Sequence, residues 1–104
     1  MAITDPLTGL LNRKGFDEQL KKVMQGDLHI HCVGIQMDID DFKFINDMYG
    51  HVVGDAALKS LAQDMQSYFN DNSIICRNGG DEFSAILVDT TEEEARKKIE
   101  QFTL

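Results

Sequence analysis

The stretch Arg77-Asn78-Gly79-Gly80-Asp81-Glu82-Phe83 decides how this chain reads. Apolar runs flank it, Ser73-Ile74-Ile75-Cys76 before and Phe83-Ser84-Ala85-Ile86-Leu87-Val88 after. Both runs are rich in β-formers, and a Gly-Gly pair between them predicts a tight hairpin. Glycines there permit φ > 0 and, lacking a Cβ, let another molecule approach the backbone closely. Asp81 and Glu82 then stand at the hairpin's lip. Taken alone, such a turn reads as a solvated loop whose charges blunt a sheet edge.

A second cluster upstream changes that reading: Met37-Asp38-Ile39-Asp40-Asp41-Phe42-Lys43-Phe44-Ile45-Asn46-Asp47-Met48-Tyr49-Gly50-His51-Val52-Val53-Gly54-Asp55. A third segment, Asp5-Pro6-Leu7-Thr8-Gly9-Leu10-Leu11-Asn12-Arg13, opens the chain. The three together, in this order, resemble the GGDEF family of diguanylate cyclases. The resemblance runs from Asp5 to the region of Phe102.

Composition bounds the possibilities independently. A chain of 104 residues, 42% hydrophobic and 27% charged, suits one globular domain spanning residues 1–104. Its net charge of −8 argues against nucleic-acid backbone binding, which needs clustered Lys and Arg. A nucleotide ligand is still allowed, because divalent cations can join carboxylates to phosphates. No apolar run reaches the length of a membrane span, so the segment is expected to make no direct membrane contact and to be cytoplasmic. Cys32 and Cys76 match no metal spacing and are expected to be reduced core residues.

The pattern along the chain gives the order helix, strand, helices, strand, hairpin, strand, helix. Asn12 reads as an N-cap, Phe16, Leu20, Val23 and Met24 as one apolar stripe, and Gly26 as a stop. From Ile30 to Ile39, Val33, Ile35, Met37 and Ile39 share one face of a strand, and Cys32, Gly34, Gln36 and Asp38 the other. A short helix is expected over 40–49, followed by a loop. A longer helix then follows, capped near Gly54-Asp55, with Leu58, Leu61, Ala62, Met65 and Phe69 inward. Thr91 and Glu94 form a capping box before a helix that buries Ala95, Ile99 and Phe102. The expected fold is α+β, a mixed sheet with an antiparallel hairpin, covered by helices. This order agrees with the family's ferredoxin-like core, related to nucleotide-cyclase and polymerase palms.

If the first strand lies beside the hairpin, Asp38 and Asp81 come together as a site for hard cations. Two such ions can clamp the attacking and leaving oxygens of a phosphoryl transfer. An EF-hand reading of Asp38-Ile39-Asp40 fails, because Phe42 occupies a ligand position and Lys43 stands where glycine is required. There is no P-loop. His29 and His31 lack a further ligand nearby.

The resemblance implies roles by position. Asp38 and Asp81 correspond to ligands of Mg²⁺ (or Mn²⁺), with the Ile39 carbonyl contributing and Glu82 beside them. The backbone from Ile39 to Lys43, with Phe42 and the Lys43 charge, corresponds to the triphosphate cradle. Gly79 and Gly80 would leave the phosphates room. Asn46 and Asp55 correspond to readers of guanine; a carboxylate can accept guanine's adjacent N1–H and N2–H₂, and an amide can donate and accept on the neighbouring edge. The implied reaction joins two GTP molecules into cyclic di-GMP with release of pyrophosphate, each of two opposed domains holding one GTP. The alternative is a catalytically silent GTP-binding module that regulates a neighbouring domain.

The sequence departs from the family at four places. The inhibitory product site, Arg-x-x-Asp in the family, reads Asn70 and Ser73 here, and neither supplies a guanidinium fork or a carboxylate. Asp41 and Gln36 are smaller departures. The family continues beyond the equivalent of Leu104 with a last strand and a helix carrying a Lys-x-x-x-Arg pair that grips the phosphates. The 104-residue chain is accordingly expected to be inactive alone. Its first strand is expected to have a bare edge, which either self-associates or is covered by the N-terminal segment.

Overall fold

The computed structural model describes residues 2–26, 30–69 and 73–103. Its first ordered feature is a turn. The Asp5 carboxylate accepts from the Thr8 amide at 2.9 Å and the Thr8 hydroxyl at 2.8 Å, and Gly9 follows at φ 76°. A short polar side chain bonding the backbone ahead of it fixes such a turn without a regular element.

Helix α1, Arg13–Met24, begins where the Asn12 side chain accepts from the Gly15 amide, as the sequence predicts. Phe16, Leu20 and Val23 face the sheet, but Met24 is exposed. At 3.6 residues per turn, Met24 lies about 80° around the helix from Phe16, whereas Leu20 and Val23 lie within about 40°. The chain continues through β1 (Cys32–Asp38), α2 (Phe42–Tyr49), α3 (His51–Tyr68), β2 (Ser73–Gly79), β3 (Glu82–Val88) and α4 (Glu92–Thr103). The element order is the one read from the pattern.

The sheet order is β1-β3-β2, and both pairings are antiparallel. The expected mixed character is confined to one isolated parallel bridge, Leu11 to Cys76. The reason is topological. The helical crossover makes β1 and β2 run the same way, but the hairpin partner β3 inserts between them.

Each face of the sheet has its own cover. Phe83, Ala85 and Leu87 of β3 pack with Leu58, Ala62 and Met65 of α3 and with Ala95 of α4. Val33, Ile35, Met37 and Ile39 border that core, so the expected alternation of β1 holds. On the opposite face, α1 packs Phe16 on Ile74 and Cys76. Cys32, the first residue of β1, is exposed rather than in the core; Cys76 is buried, and both thiols are free.

The corner between α2 and α3 is tighter than expected. Instead of a loop, the single residue Gly50 separates the helices at φ 88°. Gly54 and Asp55 therefore lie inside α3, not at its cap. The Thr91–Glu94 box forms as expected, with the Glu94 amide donating to the Thr91 hydroxyl at 3.2 Å. Hydrogen bonds from the Thr91 hydroxyl and amide hold the Glu94 carboxyl below its usual range.

Among the described residues nothing pairs with the outer edge of β1. The N-terminal segment runs instead along the far edge of the sheet, where the Arg77 amide donates to the Leu11 carbonyl at 3.0 Å. It does not cover β1.

Candidate active site

The signature hairpin closes on a two-residue turn, Gly80-Asp81, between the paired residues Gly79 and Glu82. Gly80 has φ 53° and Gly79 φ 147°, both in territory that L side chains rarely adopt. A Cβ at either glycine would meet nothing within 4 Å, so the space above the turn is open. Between Arg77 and Gly79 the register slips by one residue, which makes Asn78 a β-bulge.

The β1–β3 register brings the two acidic segments together. Asp38, the last residue of β1, is the cross-strand partner of Glu82. Directly opposed residues place their Cβ atoms about 4.5–5.5 Å apart on one face. Asp81 precedes Glu82 in the turn and is half-buried, while Asp38 and Glu82 are exposed. Ile39 leaves the strand partly buried against the core. Among the described residues no three His, Cys, Asp or Glu side chains form a closed cation cage. The donor set is instead of the kind Mg²⁺ accepts, one or two carboxylates completed by water and phosphate oxygens.

Helix α2 starts at Phe42, after the three residues Ile39, Asp40 and Asp41 that follow β1. Its N-cap position, Asp41, sits at φ 57° and makes no side-chain capping bond. The helix N-terminus, with its amide donors and positive dipole end, is therefore not closed off by a side chain. Phe42 is half-buried and Lys43 exposed in its first turn.

At the α2–α3 corner Asn46 lies against Gly54, the residue before Asp55. A Cβ on Gly54 would collide with the Asn46 side-chain amide, so only glycine lets this side chain lie between the helices. The Asn46 Oδ1 atom is buried there with no hydrogen-bond donor. Asp55, one residue beyond Gly54, is exposed. Ser73 begins β2, partly buried; Asn70 and His29 lie outside the described residues.

One residue of the signature carries a role the sequence reading missed. Arg77 Nε donates to the Gly80 carbonyl at 2.9 Å, and its Nη1 pairs with Asp5 at 3.0 Å. Both side chains are largely buried, at 16% and 14% exposure. Burial pushes the Asp5 carboxyl up, but the Thr8 hydrogen bonds and the Arg77 charge outweigh it and hold the group below its usual range. The available signal was an arginine just before the glycines and an Asp-x-x-Thr at the start of the chain.

Comparison with known proteins gives a consistent result. The family model described as "Diguanylate cyclase, GGDEF domain" matches residues 2–103. Diguanylate cyclase DgcP of Pseudomonas aeruginosa is 39% identical over 96% of this chain and 15% of its own length. Diguanylate cyclase DgcZ of Escherichia coli is 37% identical over 88% of the chain and 31% of its own. The GGDEF domain of DgcB from Caulobacter crescentus, solved in complex with c-di-GMP, superposes with a TM-score of 0.87 at 30% identity, covering 98% of this chain and 61% of that one. Diguanylate cyclase SiaD of P. aeruginosa, solved with its activator SiaC, gives a TM-score of 0.85 at 34% identity, over 96% and 39%. The chain thus spans less than a third of these curated relatives. Its three motifs, its palm-like α+β fold and these likenesses agree: the chain belongs to the GGDEF family of diguanylate cyclase domains.

Proposed function

We propose that this domain holds one GTP, with Mg²⁺ or Mn²⁺, and condenses it with a GTP held by a second, opposed domain to give cyclic di-GMP and pyrophosphate. The observation that carries the reading is the pairing of Asp38 with Glu82 beside the open turn at Asp81. In this reading Asp38 and Asp81, helped by the Ile39 carbonyl, hold the cation. A divalent cation held by them would supply charge to offset that of the triphosphate and of the transition state. The unclosed N-terminus of α2 and the Lys43 ammonium lie along the phosphates, and Gly79 and Gly80 leave room for them.

Asn46 and Asp55 read the base. The notch at Gly54 seats the Asn46 amide between the helices, and exposed Asp55 accepts a paired N–H edge. Each GTP directs its 3′-hydroxyl at the other's α-phosphorus, and pyrophosphate leaves. Most of the acceleration comes from holding the two reactants face to face in a charged, ordered site. Glu82 stands next to the cation ligands and completes the acidic wall.

With Asn70 and Ser73 in place of the family's Arg and Asp, product does not inhibit through that surface. Adding cyclic di-GMP should leave the initial rate unchanged. The reading is tested by product analysis of the full-length protein with GTP and Mg²⁺. Cyclic di-GMP is expected; GTP bound without turnover would point to the silent regulatory module instead.

A further inference from the structure

Two consecutive glycines give the signature turn its shape and also its freedom, since glycine has the widest range of backbone conformations. A turn that must aim two carboxylates therefore needs ties from outside itself. Arg77 supplies one through the Gly80 carbonyl. A second tie comes from the bulge. Asn78 Nδ2 donates to the Ser84 hydroxyl at 2.7 Å, and Asn78 Oδ1 accepts from the Cys76 thiol at 3.2 Å.

The register places this trio two residues along the strands from the acids. Cys76 pairs with Ser84, and Ser84 pairs with Gln36; the pair after that, Phe83 with Met37, faces the other way, and the next is Glu82 with Asp38. Residues two apart on a strand share a face, so the trio and the acidic pair lie on the same side of the sheet. Cys76 has no exposed surface. Its burial pushes the thiol's pKa up, which keeps it protonated as a donor near neutral pH. Both ends of the Asn78 amide are thus committed to side chains on β2 and β3.

We propose that Asn78 is a positioning residue, which clamps the bulge to Ser84 and Cys76 and so sets where Asp81 and Glu82 stand relative to Asp38. This rests on the cyclase reading for its catalytic consequence, but not for the clamp itself. A misplacement of about 1 Å at a reacting centre costs on the order of 10²-fold in rate.

In the full-length protein, Asn78→Ala should lower kcat about 10- to 100-fold while KM for GTP changes less than about threefold, and should raise the Mg²⁺ concentration for half-activation. Ser84→Ala should do the same more weakly. Ser84→Thr and Cys76→Ser keep a hydroxyl at each partner and should restore the parent's kcat. An Asn78→Ala protein that melts earlier but keeps kcat and Mg²⁺ dependence would overturn the proposal, because its role would then be stability alone. A second measurement stands apart from activity. In the 104-residue chain, amide exchange at Gly79–Glu82 should quicken at least about tenfold in Asn78→Ala. Unchanged exchange there overturns the clamp. A parent protein that makes no cyclic di-GMP overturns the cyclase reading and leaves the clamp to be judged by exchange.

Discussion

The signature hairpin and the α2–α3 corner both present candidate ligand-binding groups, and they do so by opposite means. The hairpin is tied down: Arg77 to Gly80 and Asp5, Asn78 to Ser84 and Cys76. The corner is shaped by what is missing, the Cβ of Gly54, and it leaves the Asn46 oxygen without a donor. Around it Phe44, Met48, Tyr49, Val52 and Val53 are exposed. A phosphate-and-metal site needs its charges fixed before the ligand arrives, because electrostatic stabilisation works best when no reorganisation is required. A base-reading site needs a slot of the right shape. On the proposed assignment of metal and phosphate to the hairpin and of the base to the corner, the difference in construction follows the difference in task.

The comparison is most exposed to mutation at Arg77. Arg77→Ala removes the Gly80 tie and strands a largely buried Asp5. It should cost roughly 2–4 kcal/mol in urea unfolding and loosen the turn. A loss under about 0.5 kcal/mol, the level of a surface pair, would show that the hairpin is not held from the N-terminal turn. Gly54→Ala attacks the other region. Overpacking costs about 1–3 kcal/mol, and here the lower end is expected, since the Asn46 amide can swing outward. The larger consequence should be a reduced preference for GTP over ATP, with metal dependence untouched.

A smaller, pH-linked effect sharpens the same contrast. The folded state holds the Asp5 proton more weakly than the unfolded chain does, so the unfolded chain binds more protons in that window. The stabilisation is complete above the ordinary carboxylate value of 3.8 and is lost as pH falls through the lower folded value. Urea midpoints should therefore drop more steeply with acid for the parent than for Asp5→Asn. Parallel curves would mean that Asp5 contributes nothing through its charge.

Much of this was legible in the sequence, for reasons that vary by region. The hairpin, the Asn12 cap and the Thr91–Glu94 box are written within a few residues, so local rules suffice. Asp38 beside the turn was legible only on the condition that β1 lies next to the hairpin, which the β1-β3-β2 order meets. The start of α3 did not, because Gly54 looks like a cap until Asn46 is placed against it. Cys32 was misjudged because it starts an edge strand, where burial depends on what packs across the sheet, which no local pattern records. Arg77 and Asn78 were in the quoted stretch from the start. Their partners Asp5 and Ser84 are set by tertiary structure and by a one-residue register slip.

The two halves of the account meet in a single calorimetric experiment, GTP and ATP titrated with and without Mg²⁺ into full-length protein carrying Asp81→Asn or Asp55→Ala. The assignment predicts that Asp81→Asn abolishes the Mg²⁺ dependence of GTP binding and keeps the preference for guanine. It predicts the reverse for Asp55→Ala, where guanine preference narrows and the metal dependence stays. GTP affinity and metal dependence unchanged by Asp81→Asn would contradict it.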